Sequence, residues 1–128
     1  MENIEKVIGK TFSKIDQLGD EIIFTTKEGE IYKMFHYQDC CENVSIESID
    51  GDLQDLIGNP ILEFEERINP EGCVSKIEDD YGSDTWTFYV IRNVKASVTI
   101  RWYGSSNGYY SESVNFIEID SDGDEIYN

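Results

Sequence analysis

Basic residues are scarce in this chain: ten Lys and Arg stand against 27 Asp and Glu, for a formal net charge of −17. That imbalance excludes unaided binding to DNA, RNA or an anionic membrane, because the long-range field repels polyanions. Histidine occurs once, so Ser- or Cys-based hydrolysis has a single general base to draw on. Cysteine occurs three times, at Cys40, Cys41 and Cys73. An odd set cannot complete a disulfide framework and fits a reducing, cytoplasmic compartment; a bridge from Cys40 or Cys41 to Cys73 is not expected. No run approaches the ~20 apolar residues of a membrane helix, and no signal-peptide pattern opens the chain. The glycines of Gly104–Gly108 join two strands rather than opening a helix, so they do not form a phosphate-binding loop.

What is present points to one β-rich domain. The 128 residues are 39% hydrophobic and 12% aromatic, enough for one core. Alternation in some segments, β-branched and aromatic content in others, and bounding turns predict strands over residues 11–17, 21–26, 30–37, 44–49, 60–67, 85–93, 96–103 and 109–119. In residues 30–37, Ile31, Lys33, Phe35 and Tyr37 share one face, and Tyr32, Met34 and His36 the other. A helical turn over 2–8 and a short helix at Leu53–Ile57, capped by Asp50 or Asp52, complete the pattern. Residues 68–84 lose periodicity and read as a long exposed loop. The expected fold is mainly β (α+β as the variant): a single antiparallel β-sheet domain of about eight strands over residues 1–119, with one or two short helices. The last three strands are expected to be consecutive neighbours, and residues 120–128 form an acidic tail.

The charge is unevenly placed. Residues 39–84 hold fourteen acids and two bases, a net of −12, whereas residues 85–117 are net +2. Glu63, Glu65, Glu66, Glu78, Asp79 and Asp80 are therefore the candidate partner-binding acids, weighed against mere solubility. Arg92, Arg101, Trp102, Tyr109 and Tyr110 form an alternative ligand-binding set around a turn, since Arg and aromatics stack bases; cross-strand packing is the plainer reading. His36, Cys40, Cys41 and Cys73 form an alternative metal or redox set, but His36-x3-Cys40 is only half a zinc site and no Cys-x2-Cys pair exists. Asp120-Ser-Asp122-Gly-Asp124 misplaces the glycine of a calcium loop. No catalytic residue and no cofactor are implied.

Four segments carry a resemblance: His36-Tyr37-Gln38-Asp39-Cys40-Cys41-Glu42, Gly51–Gly58, Thr85-Trp86-Thr87-Phe88-Tyr89 and Thr99–Glu112. Together they resemble a family of short proteins of unknown function found in bacteriophages and prophages of Gram-positive bacteria. The resemblance covers roughly residues 5–119 and carries no catalytic residue. It implies a phage context, in which small acidic proteins often act as counter-defence factors of anti-CRISPR character. The expectation is a non-enzymatic inhibitor in the host cytoplasm that imitates nucleic acid. Its partner would be a host nucleic-acid-binding protein or nuclease with a basic groove. No contact with nucleic acid or membrane is expected, and exposed aromatics leave room for a homodimer. A sponge for a small nucleotide signal is the alternative function.

Overall fold

A computed structural model describes residues 3–77 and 82–126. Its eight described strands are β1 (Phe12–Leu18), β2 (Glu21–Thr26), β3 (Ile31–Phe35), β4 (Asn43–Asp50), β5 (Glu63–Ile68), β6 (Ser83–Arg92), β7 (Ser97–Ser106) and β8 (Asn115–Ile119). All pairs are antiparallel. They form two four-stranded sheets, ordered β1-β2-β3-β8 and β4-β7-β6-β5.

The alternation read from the sequence explains the layers. In β2, Ile22, Phe24 and Thr26 are buried while their neighbours are partly exposed. Tyr32 and Met34 of β3 turn inward. Opposite them, Phe64, Tyr89, Ile91, Val98, Ile100 and Trp102 line the inner face of the second sheet. Phe64 meets Phe24 at 6.4 Å and Phe116 at 5.0 Å between ring centroids. The indole N–H of Trp102 reaches the Met34 sulfur at 3.4 Å. Burial of these large side chains from both sheets is the main favourable term holding the layers together.

Three expectations need correction. The strands do not make one sheet: β8 leaves β7 and pairs with β3 in the other layer. The strand foreseen over 109–119 forms only from Asn115 onward, because residues 107–114 cross from one sheet to the other. The crossing is tight at Gly104, where an added Cβ would stand 3.0 Å from the Glu112 carbonyl oxygen and 3.0 Å from Val44. The helices, finally, are single 3-10 turns, Asn3–Val7 and Leu53–Leu56. Segments of four or five residues are too short to nucleate an α-helix. Asp52 does cap the second turn, its carboxylate accepting the Gln54 N–H at 2.9 Å.

The tail folds back. The Ile126 N–H donates to the Glu118 carbonyl at 2.8 Å, and the Tyr37 hydroxyl donates to Glu125 at 2.9 Å. Within the tail, the Asp120 carboxylate accepts the N–H groups of Asp122 and Asp124. Among the described residues no helix is long and apolar enough to cross a membrane.

Candidate functional site

The inner face of the second sheet changes character along its length. On β6 the inward positions run Ile91, Tyr89, Thr87, Thr85; on β5, Phe64 is followed two residues later by Glu66. Apolar core therefore gives way to hydroxyls and a carboxylate at one end. Residues 111–117 approach from the other sheet, and a cleft of about 570 Å³ remains between them. Glu66, Glu112, Thr85, Thr87, Ser113 and Phe116 are among its walls.

Glu112 is the most heavily bonded group there. Ser83 donates to its Oε2, Ser106 donates to the same oxygen at 2.5 Å, and Thr85 donates to Oε1 at 2.8 Å. The Tyr89 hydroxyl donates to Glu66 at 2.5 Å. Among the described residues no Lys, Arg or His lines the cleft. Elsewhere, nine of the ten Lys and Arg side chains lie in ion pairs. Among the described residues the two cleft carboxylates thus have hydroxyl partners and no counter-charge. Such a site suits a cation and rejects an anion.

Just behind the cleft wall lies a second centre, set by the loop after β3. The His36 ring approaches the Ser113 carbonyl oxygen with Nδ1 at 2.6 Å and the buried Glu42 carboxylate with Nε2 at 2.7 Å. The ring is thus held between two oxygens supplied by different parts of the chain. Glu42 also accepts the N–H groups of Asp39 at 2.8 Å and Cys40 at 3.0 Å. The Cys40 bond leads, with Asp39 and His36 adding to it against the cost of burial. Together they hold the Glu42 carboxyl down to about 2. The turn they fix joins Cys40 to Cys41 in a disulfide and leaves Cys73 free. The pairing of the two adjacent cysteines was not foreseen from the sequence. Among the described residues no three His, Cys, Asp or Glu side chains are grouped to hold a metal ion.

The acids singled out from the sequence do not form one unit. Glu63 and Glu65 point outward from β5, paired with Arg92 at 3.1 Å and Arg67 at 2.7 Å. The Arg92 guanidinium holds the Glu63 carboxyl below its usual range. Glu66 points the opposite way, into the cleft, because successive strand residues alternate. Glu78, Asp79 and Asp80 lie outside the described residues.

The alternative ligand set is also divided. Trp102 is fully buried in the core, whereas its neighbour Arg101 lies on the outer face, 5.1 Å from the Phe88 ring and 5.9 Å from that of Trp86. Arg92 is occupied by Glu63. Tyr109 and Tyr110 sit beyond β7, edge to face at 5.0 Å, with Tyr109 82% exposed.

The outer-face cluster that does form was not foreseen: Trp86, Phe88 and Tyr103 with Arg101 and Lys76. Lys76 lies 4.6 Å from the Tyr103 ring. Residues of the aperiodic stretch cover this cluster, with the Val74 carbonyl accepting the Trp86 indole N–H at 3.2 Å. Asp84 binds Ser75, Tyr103 and the Lys76 N–H. Burial works against the Asp84 carboxylate, but these bonds outweigh it and lower its pKa. Glu112 was missed as a site residue. Its signal was present in the sequence: inward strand positions changing from Ile and Tyr to Thr.

The chain belongs to a family defined by a domain of unknown function (DUF7448), which matches residues 5–116. No curated protein and no solved structure matches it.

Proposed function

We propose that this member of the DUF7448 family is a non-enzymatic binding protein that engages the basic, nucleic-acid-binding surface of a partner protein. Its charge accounting carries the reading. Nine of ten basic side chains are held in internal ion pairs, while the chain as a whole stays at −17. Few cations are left to attract an anionic ligand, and the surplus carboxylates attract external cations. Carboxylates displace counterions from a basic groove much as phosphates do, so association is fast and salt-sensitive. The finer reading makes the partner a host defence nuclease and the chain a phage- or prophage-borne, anti-CRISPR-like inhibitor. It rests on the four resembling segments and the acidity alone.

Capture from bacterial lysate on immobilised protein, with duplex DNA as competitor, tests the reading. The expected captives are nucleic-acid-binding proteins, released by raised salt and by DNA. The triple change Glu65→Lys, Asp79→Lys and Asp80→Lys weakens their capture. Captives that withstand both salt and DNA overturn it.

A further inference from the structure

We propose that the cleft between Glu66 and Glu112 is a socket for an organic cation, an alkylammonium or guanidinium group. This deepens the reading above and rests on it: the cation is a Lys or Arg side chain of the basic partner, or a free amine of the same chemistry.

Inward positions of a sheet packed on another sheet are ordinarily apolar. Here Thr85, Thr87 and Glu66 occupy three of them, and Glu112 enters from the crossing segment. The hydroxyls of Ser83, Thr85 and Ser106 fix Glu112 in place, and Tyr89 fixes Glu66 through Oε2. A carboxylate offers about four lone-pair sites, so acceptor capacity remains on both groups, including Oε1 of Glu66. An ammonium brings three donors and a guanidinium five. Phe116 and Ile117 in the same wall offer apolar surface to the methylene stem of such a side chain. Inorganic divalent ions fit poorly. Calcium and magnesium prefer six or more oxygens, and among the described residues no group of three metal-ligating side chains converges. Anions meet two carboxylates and, among the described residues, no base.

The test is an amide-resolved NMR titration with spermidine in one arm and a lysine-rich peptide in the other. The expected result is saturable shifts centred on Thr85, Thr87, Ser113 and Phe116. Glu66→Gln keeps an acceptor for Tyr89 and should retain the fold, yet weaken binding about tenfold, as loss of a charge-assisted hydrogen bond does. Glu112→Gln should do the same. Asp16→Asn, on β1 of the other sheet and paired with Lys14 at 3.4 Å, should leave binding within about twofold of the unaltered protein, since an exposed paired carboxylate contributes little. Response to the peptide alone identifies a partner's side chain as the occupant, and response to spermidine as well admits a free amine; both support the socket. Shifts spread over the exposed acids, or undiminished binding by Glu66→Gln, overturn it. If neither amine shifts the cleft residues while DNA-displaceable partners are still captured, the socket falls and the broader reading stands. If amines bind in the cleft but no such partners are captured, the socket stands and the broader reading falls.

Discussion

Glu42 shows how one side chain can organise a loop. It is buried, and its two oxygens meet the Asp39 and Cys40 N–H groups and the His36 ring. Its carboxyl lies near 2 in the folded chain against roughly 4.3 unfolded. A depressed folded value means that the stabilisation is fully present above the unfolded value and is lost as pH falls from about 4.3 towards about 2. Acid unfolding followed by circular dichroism should steepen in that window, and Glu42→Gln should flatten it while lowering the melting temperature near neutral pH. The motif His36-x5-Glu42 was visible in the sequence, but its pairing was not. The carboxylate had no mark to separate it from the many other acids until the fold placed it beside His36. Trp102 teaches the converse. Strand alternation alone sends Arg101 and Trp102 to opposite faces, so grouping both in one ligand site conflicted with the sheet that the same residues predict. Trp102→Ala should cost about 3–5 kcal/mol in chemical denaturation, as removal of a fully buried aromatic does.

At the scale of elements, the segment from Asn107 to Val114 decides the architecture. Alternation in the sequence ran unbroken through Tyr109 to Ile119, and a continuous strand was its natural reading. Side-chain hydrogen bonds override that pattern. Ser106 and Glu112 bond to each other, and Ser111 and Ser113 do likewise at 2.8 Å. Local bonds of this kind compete with a sheet ladder. Gly104 then lets the crossing backbone lie close over β7. Gly104→Ala pushes a methyl against the Glu112 carbonyl and Val44, which should destabilise the fold by about 1–3 kcal/mol, as overpacking does. Amide exchange should then quicken across residues 109–114 more than in β1 and β2; uniform quickening would contradict the local account. The strands themselves were legible because each has one buried face. Their division into two layers was not, since period-two alternation reports a face and not which sheet the face belongs to.

For the whole molecule, charge dominates. A net of −17 on 128 residues makes the folded state repel itself. Salt shortens that repulsion to a Debye length of about 10 Å at 0.1 M, and exposed ion pairs contribute little that salt can remove. Adding salt should therefore raise the melting temperature by roughly 4 °C per kcal/mol of repulsion relieved, measured by scanning calorimetry. A fall would mean that the internal ion pairs outweigh the surplus. Composition alone revealed this much. Segmental charge suggested a single acidic face, and the structure instead tethers Glu63 and Glu65 to arginines and sends Glu66 inward.

On the proposed function, the carboxylates of this chain occupy a partner surface built for nucleic acid. The most direct measurement is competition. A basic DNA-binding protein captured from lysate is titrated with labelled duplex DNA in the presence and absence of this chain. The expected result is mutually exclusive binding, with the inhibition weakening steeply as salt rises. Simultaneous binding of DNA and this chain to the captured protein would contradict it.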